Sequence, residues 1–187
     1  MEKKPSLLIV VSGAESTGKT TLGRQLAALE GGAFVPEHAR AYVERLARPY
    51  TYGDVVNILR KQARQFQACR ASSGQIFFFD TGLVISKIWL EWVYGMSPID
   101  MGALLGRCRP DFTLLLAPDL PWEADPVREN GGESRLRLHQ AYLDEFRRMG
   151  WPHALVEGSD AARVRSARLL LRAAGLPLPP LDESQRP

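Results

Sequence analysis

The chain has 187 residues, 45% of them hydrophobic and 24% charged, which suits one globular domain with a core large enough to stand without disulfides or a structural metal. Its composition excludes the collagenous and disordered classes, and no apolar run approaches the roughly 20 residues of a membrane span. Lys and Arg number 24 against 21 Asp and Glu, a formal charge of +3. That excess is too small for a dedicated nucleic-acid surface but compatible with anionic small molecules.

Leu7 to Val11 is a short apolar run rich in β-branched residues and bounded by Ser12-Gly13, the pattern of a strand buried on both faces. It is too short for the h-region of a secretion signal, so a cytoplasmic chain is expected. Gly13-Ala14-Glu15-Ser16-Thr17-Gly18-Lys19-Thr20 follows, a complete G-x-x-x-x-G-K-T between a predicted strand and a predicted helix, with Thr21 beside it. Such a turn aims backbone N–H groups and the positive end of a helix dipole at one spot, where polyphosphate binds. Lys19 would reach the β and γ phosphates of ATP, and Thr20 would offer its hydroxyl to Mg²⁺. The loop alone specifies nucleotide binding, since kinases, switches and mechanical ATPases share it.

The helix carrying Leu22, Leu26 and Leu29 stops at Gly31-Gly32. Ala33 to Val35 is a second strand, placed at the sheet edge because Pro36 follows it. From Glu37 a helical pattern sets Ala39, Tyr42, Val43 and Leu46 on one face, with Glu37, Arg40 and Glu44 opposite. Glu37 at a strand end could take a hydrogen bond or proton from a substrate hydroxyl, with Arg40 binding sugar or phosphate oxygens; a solvated Glu/Arg pair fits the same spacing. A long amphipathic helix is predicted from Asp54 to Ser72, bearing Val55, Ile58, Gln62, Phe66 and Cys69 on one stripe. Cys69 and Cys108 have no metal or redox spacing and are expected to be packed thiols.

The third strand, Ile76 to Phe79, ends in Asp80-Thr81. A carboxylate at a strand's carboxyl end lies where open α/β sheets meet ligand, so Asp80 is a candidate for holding Mg²⁺; capping the next helix is the alternative. Ser97-Pro98-Ile99-Asp100 reads as an N-cap, a Pro in the first helical position and an acid in the first turn. The fourth strand is Phe112 to Leu116, and the segment from Pro121 to Arg137 gathers Trp122, Asp125, Arg128 and Arg135 between Pro and Gly hinges. It suits a lid over phosphates, or an exposed charged loop. Helices at Ser134–Met149 and Asp160–Ala174 flank a fifth strand, Ala154 to Val156, and a Pro-rich tail runs from Gly175 to Pro187. Alternating elements of this kind make a three-layer α/β domain over residues 1–174, a parallel sheet with helices on both faces.

The Glu-Ser-Thr-Gly-Lys-Thr-Thr loop, Glu37-His-Ala-Arg40, Asp80-Thr81, and Pro118-Asp119 through Trp122, Asp125 and Arg128 together resemble the ribosylnicotinamide kinase domain of NadR proteins, a group of small AAA-like phosphate-loop ATPases. The resemblance runs from about Leu7 to Leu171. It implies the P-loop NTPase fold, a five-stranded sheet ordered 2-3-1-4-5, and Mg²⁺-dependent transfer of the ATP γ-phosphate to the 5′ hydroxyl of nicotinamide riboside. It also implies roles for residues: residues 13–21 for ATP, Thr20 and Asp80 for the metal, Glu37, Arg40, Trp122 and Asp125 for the acceptor, Arg128 and Arg135 for the lid, and Glu157 to Asp160 beside adenine. Members that use nicotinamide riboside can carry an aromatic residue before the Glu matching Glu37, where this chain has Pro36; Trp89, Trp92, Tyr94 and Trp122 are the other candidates for stacking on a pyridinium. A nucleoside or nucleotide kinase of different specificity, and a regulatory ATPase without a small acceptor, are the competing functions. No membrane or nucleic-acid partner is expected.

Overall fold

The computed structural model describes residues 4–123 and 132–180. Strands β1 (Leu7–Gly13), β2 (Ala33–Val35), β3 (Ile76–Asp80), β4 (Phe112–Leu116) and β5 (His153–Val156) alternate with helices α1 (Lys19–Leu29), α2 (His38–Val43), α3 (Tyr52–Ala71), α4 (Leu83–Tyr94), α5 (Met101–Arg107), α6 (Gly132–Met149) and α7 (Asp160–Ala173). The strands form one parallel sheet in the order β2-β3-β1-β4-β5, as the resemblance implies. Among the described residues, no helix is long and apolar enough to cross a membrane.

All seven residues of β1 are buried, because the central strand is covered on both faces. Side-chain alternation divides its apolar run between two cores. Leu8 and Val10 enter one core with Phe66 of α3, Leu90 of α4, Leu105 of α5 and Tyr142 of α6. Leu7, Ile9 and Val11 enter the other with Leu22 and Leu26 of α1 and Ala167 and Leu171 of α7. The latter pair of helices is also joined through Glu30, whose 1%-exposed carboxylate binds Arg168 at 2.6 Å and Arg172 at 2.9 Å.

This division of the helices positions the site. The chain leaves β1 toward the α1 face and leaves β3 toward the α4 face. Adjacent strands whose connections diverge leave a crevice at their carboxyl ends, here beside the paired residues Val11 and Asp80.

Three local expectations are revised. The helix after Glu37 ends at Val43 with no buried residue, so Leu46 lies beyond it. The long helix begins two residues before Asp54, because Thr51 and Asp54 form a reciprocal capping box. The short helix near residue 100 starts at Met101 with Asp100 as N-cap; the Ser97 hydroxyl donates instead to Glu91 at 3.1 Å. Cys69 and Cys108 are free thiols. The start of the tail is packed, with Leu176 and Leu178 against the α1/α7 core, while residues 181–187 lie outside the described residues.

Candidate active site

The turn after β1 depends on two glycines. Gly13 has φ 146°, and a Cβ there would meet the Leu116 carbonyl and Thr17 Oγ1 at 3.0 Å. Gly18 has φ 78° and serves as the N-cap of α1, a left-handed conformation that costs glycine little. Ser16 between them is also left-handed, at φ 57°, a conformation that costs a residue with a side chain and is kept where surroundings enforce it. The leading N–H groups of α1 lack partners within the helix and lie at its positive end, where an anion is stabilised.

The carbonyls of this loop are held by side chains. The Ala14 carbonyl accepts from Thr17 Oγ1 and from Lys19 Nζ, both at 2.8 Å. Arg135 donates to the Ser16 carbonyl at 3.0 Å and to the Leu120 carbonyl at 2.7 Å. Arg163 donates to the Thr17 carbonyl. Ser16 Oγ accepts from the Glu123 N–H at 3.2 Å, which brings the exposed Trp122 to the loop's edge. Glu15 and Lys19 are half-buried, whereas Thr20 and Thr21 are exposed.

Across the crevice, Thr20 Oγ1 donates to Asp80 Oδ2 at 2.5 Å. Asp80 is 5% exposed, and its other oxygen, Oδ1, is buried without a hydrogen-bond partner. Burial pushes the Asp80 carboxyl above its ordinary pKa, opposed by the Thr20 hydrogen bond and the charges of Lys19, Arg40 and Arg24. Asp80 caps no helix, since α4 begins after Gly82. Thr81 adopts φ 65°, and its hydroxyl donates to Glu37 Oε1 at 3.4 Å. Burial raises the Glu37 pKa; Lys19 lowers it, Asp80 raises it further, and Arg40 lowers it. Glu37, Asp80, Lys19 and Arg40 thus share one electrostatic neighbourhood, although Arg40 is exposed and lies 4.0 Å from Glu44.

Beside these carboxylates is a depression lined by Pro36, Gln62, Gln65, Phe66, Asp80 and Thr81. Gln62 accepts from Ser86 Oγ at 3.3 Å. The aromatic candidates are spent partly on packing: Trp89 donates to the Tyr50 hydroxyl at 3.1 Å, and Tyr94 meets Tyr52 edge-on. Asp125 and Arg128 lie outside the described residues.

Residue spacing pointed to Thr20, Glu37 and Asp80, which the fold brings together. It passed over Arg163, which is 3% exposed at the start of α7. Arg163 binds the Thr17 carbonyl, the Asp119 carboxylate and the Gly158 carbonyl, the last at 2.5 Å. A signal was present, because Arg163 continues the buried stripe of Ala167 and Leu171 at a spacing of four. Arg135 likewise heads the buried stripe of Leu138 and Tyr142 on α6.

Among the described residues, no group of three or more His, Cys, Asp or Glu is arranged to hold a metal. A Mg²⁺ site needs fewer, since Mg²⁺ takes one or two carboxylates together with phosphate and water oxygens. The orphaned Asp80 Oδ1 beside the Thr20 hydroxyl is a hard-oxygen pair that fits this ion.

A family model described as an AAA domain matches residues 8–163. The trifunctional NAD biosynthesis/regulator protein NadR of Salmonella typhimurium is 28% identical over 153 residues, as is that of Escherichia coli; each alignment covers 78% of this chain and 37% of the relative. The chain therefore spans just over a third of the length of these curated relatives. A crystal structure of NadR in complex with NR matches with TM-score 0.75 at 20% identity, covering 95% of this chain and 53% of that one. Thymidylate kinase from Ehrlichia chaffeensis matches with TM-score 0.64 at 13% identity, covering 91% and 99%. These structures share the fold.

Proposed function

The chain belongs to the AAA-domain family, and from that membership and the site's geometry we propose that it is an ATP-dependent kinase acting on the 5′ hydroxyl of a ribosyl nucleoside, with nicotinamide riboside as the acceptor. One observation carries the reading: Thr20 of the phosphate loop and Glu37 beyond β2 are both hydrogen-bonded to the Asp80-Thr81 end of β3. A donor's phosphates on the loop and an acceptor hydroxyl beside Glu37 would meet at that end. The NadR and NR complex of the same fold, and the 28% identity to NadR proteins, support the choice of acceptor.

In this reading the loop N–H groups and Lys19 bind the phosphates, and Lys19 exchanges its hold on the Ala14 carbonyl for them. Glu37 accepts the proton of the acceptor hydroxyl. Its raised pKa, caused first by burial, suits a base better than an ordinary surface carboxylate would. Thr20 and Asp80 would hold Mg²⁺, which supplies charge neutralisation at the phosphates. Trp122, at the loop's edge, with Asp125 and Arg128 is proposed to cover the acceptor and phosphates, while Arg135 supports the phosphate loop from beneath through the Ser16 and Leu120 carbonyls.

Arg40, whose charge acts on both Glu37 and Asp80, favours one second reading, an acceptor that already carries a phosphate. The test is a product assay with ATP and Mg²⁺ against a panel of nucleosides and nucleoside monophosphates. Phosphorylation of nicotinamide riboside in preference to the panel is the expected result. Preference for a monophosphate would establish the second reading, and ATP hydrolysis unchanged by every acceptor would overturn both.

A further inference from the structure

We propose that Arg163 is a positioning residue that presets the peptide planes of the phosphate loop and ties them to the loop at Gly158, so that phosphate affinity depends on a side chain that never touches phosphate. The inference rests on the reading of the loop as an ATP site.

The covalent geometry of the peptide supplies the link. In a trans peptide the C=O and the following N–H point in opposite directions within one plane, and no described peptide is cis. A donor fixed on the Thr17 carbonyl therefore turns the Gly18 N–H away from itself, and so away from the buried side of the loop where Arg163 sits. Arg163 is that donor. Arg135 does the same to the Ser16 carbonyl and hence the Thr17 N–H, and Thr17 Oγ1 with Lys19 does so to the Ala14 carbonyl and hence the Glu15 N–H. When Lys19 leaves for phosphate, Thr17 Oγ1 still holds Ala14. An anion then meets N–H groups already oriented, and binding costs less reorganisation.

Arg163 is itself fixed. Its guanidinium binds the Asp119 carboxylate, the Gly158 carbonyl at 2.5 Å and the Ala117 carbonyl at 3.5 Å, while Asp119 Oδ2 accepts from the Gly158 N–H at 2.7 Å. Planar guanidinium with five donors can span these acceptors at once, and an ammonium cannot. The loop at Gly158, the end of β4 and the phosphate loop are thereby one hydrogen-bonded unit.

The experiment compares wild type with Arg163→Lys and, in case that variant does not fold, with Asp119→Asn, which loosens Arg163 without removing it. Binding of ATP with Mg²⁺ and of inorganic tripolyphosphate is measured by calorimetry on protein shown folded by circular dichroism. Each misdirected hydrogen bond to a charged group is worth about tenfold, so both affinities should fall by about tenfold or more in Arg163→Lys and in the same direction in Asp119→Asn. The KM for the acceptor should stay within about twofold, because Arg163 sits at the end of β4, on one side of β1 in the sheet, while Glu37 follows β2 on the other. Unchanged affinities in folded variants would overturn the proposal, since a merely structural arginine would lower the melting temperature alone. Loss of ATP affinity with tripolyphosphate unaffected would also overturn it. Wild type binding neither ligand would instead refute the ATP-site reading.

Discussion

Thr20 and Asp80 are 60 positions apart in the chain, yet the Thr20 hydroxyl donates to the Asp80 carboxylate over 2.5 Å. They meet because β1 and β3 are neighbours in register while their following helices go to opposite faces of the sheet. That crevice brings the phosphate loop and the two carboxylates Asp80 and Glu37 to one place.

Lys19 is the cation of the loop, with its ammonium 2.8 Å from the Ala14 carbonyl. Lys19→Ala should reduce phosphoryl transfer by at least about 100-fold, the value of one preorganised donor to transition-state charge. Steady-state turnover of the folded variant checks this, and near-normal turnover would remove Lys19 from the mechanism.

Glu37→Gln separates acceptor chemistry from nucleotide binding. Removing a general base typically costs about 10²–10⁴-fold, so kcat should fall in that range while affinity for ATP with Mg²⁺ changes little. Equal loss of ATP affinity in Glu37→Gln and Asp80→Asn would abolish the division of roles between the two carboxylates.

Asp80 should be a residue whose function opposes stability. Its carboxyl pKa is raised, first by burial, above an unfolded value of about 3.9. The native state then binds the proton more tightly than the unfolded chain, so the contribution to stability is complete below the unfolded value and is lost as pH rises through the native one. Asp80→Asn should therefore melt higher than wild type at neutral pH, with the difference closing near pH 4, and should show weakened Mg²⁺ dependence. Thermal melts across pH measure the first effect; a variant less stable at neutral pH would contradict it.

Glu30 holds α1 to α7 through Arg168 and Arg172 from an almost wholly buried position. Removing one partner of a buried ion pair costs about 3–5 kcal/mol, because the remaining charge is left uncompensated. Glu30→Ala should lose stability in that range by urea denaturation, and a loss below about 1 kcal/mol would show that the cluster is solvated.

Sequence alone determined the local elements of this protein and the chemistry available to them. Continuous β-branched runs specify strands covered on both faces, and the spacing of Gly13, Gly18, Lys19 and Thr20 specifies a phosphate-binding turn, because both patterns follow from backbone sterics and hydrogen bonding within a few residues. Resemblance carried the sheet order, which short-range patterns do not encode. Boundaries were less legible: one short helix starts at Met101 rather than after Ser97, and the Thr51–Asp54 capping box moves a helix start by two residues. Only the tertiary structure decided what the charged residues touch. Glu37 reads equally well as a solvated surface acid until the fold brings it to Thr81 and Asp80. Arg163 shows in the sequence only as the continuation of a helical stripe, and what it binds is decided where the end of β4, the loop at Gly158 and the phosphate loop close around it. Its partners Asp119 and Thr17 are 44 and 146 positions away, and their identity is not encoded in the helical period, because the contact is created by packing rather than by local geometry.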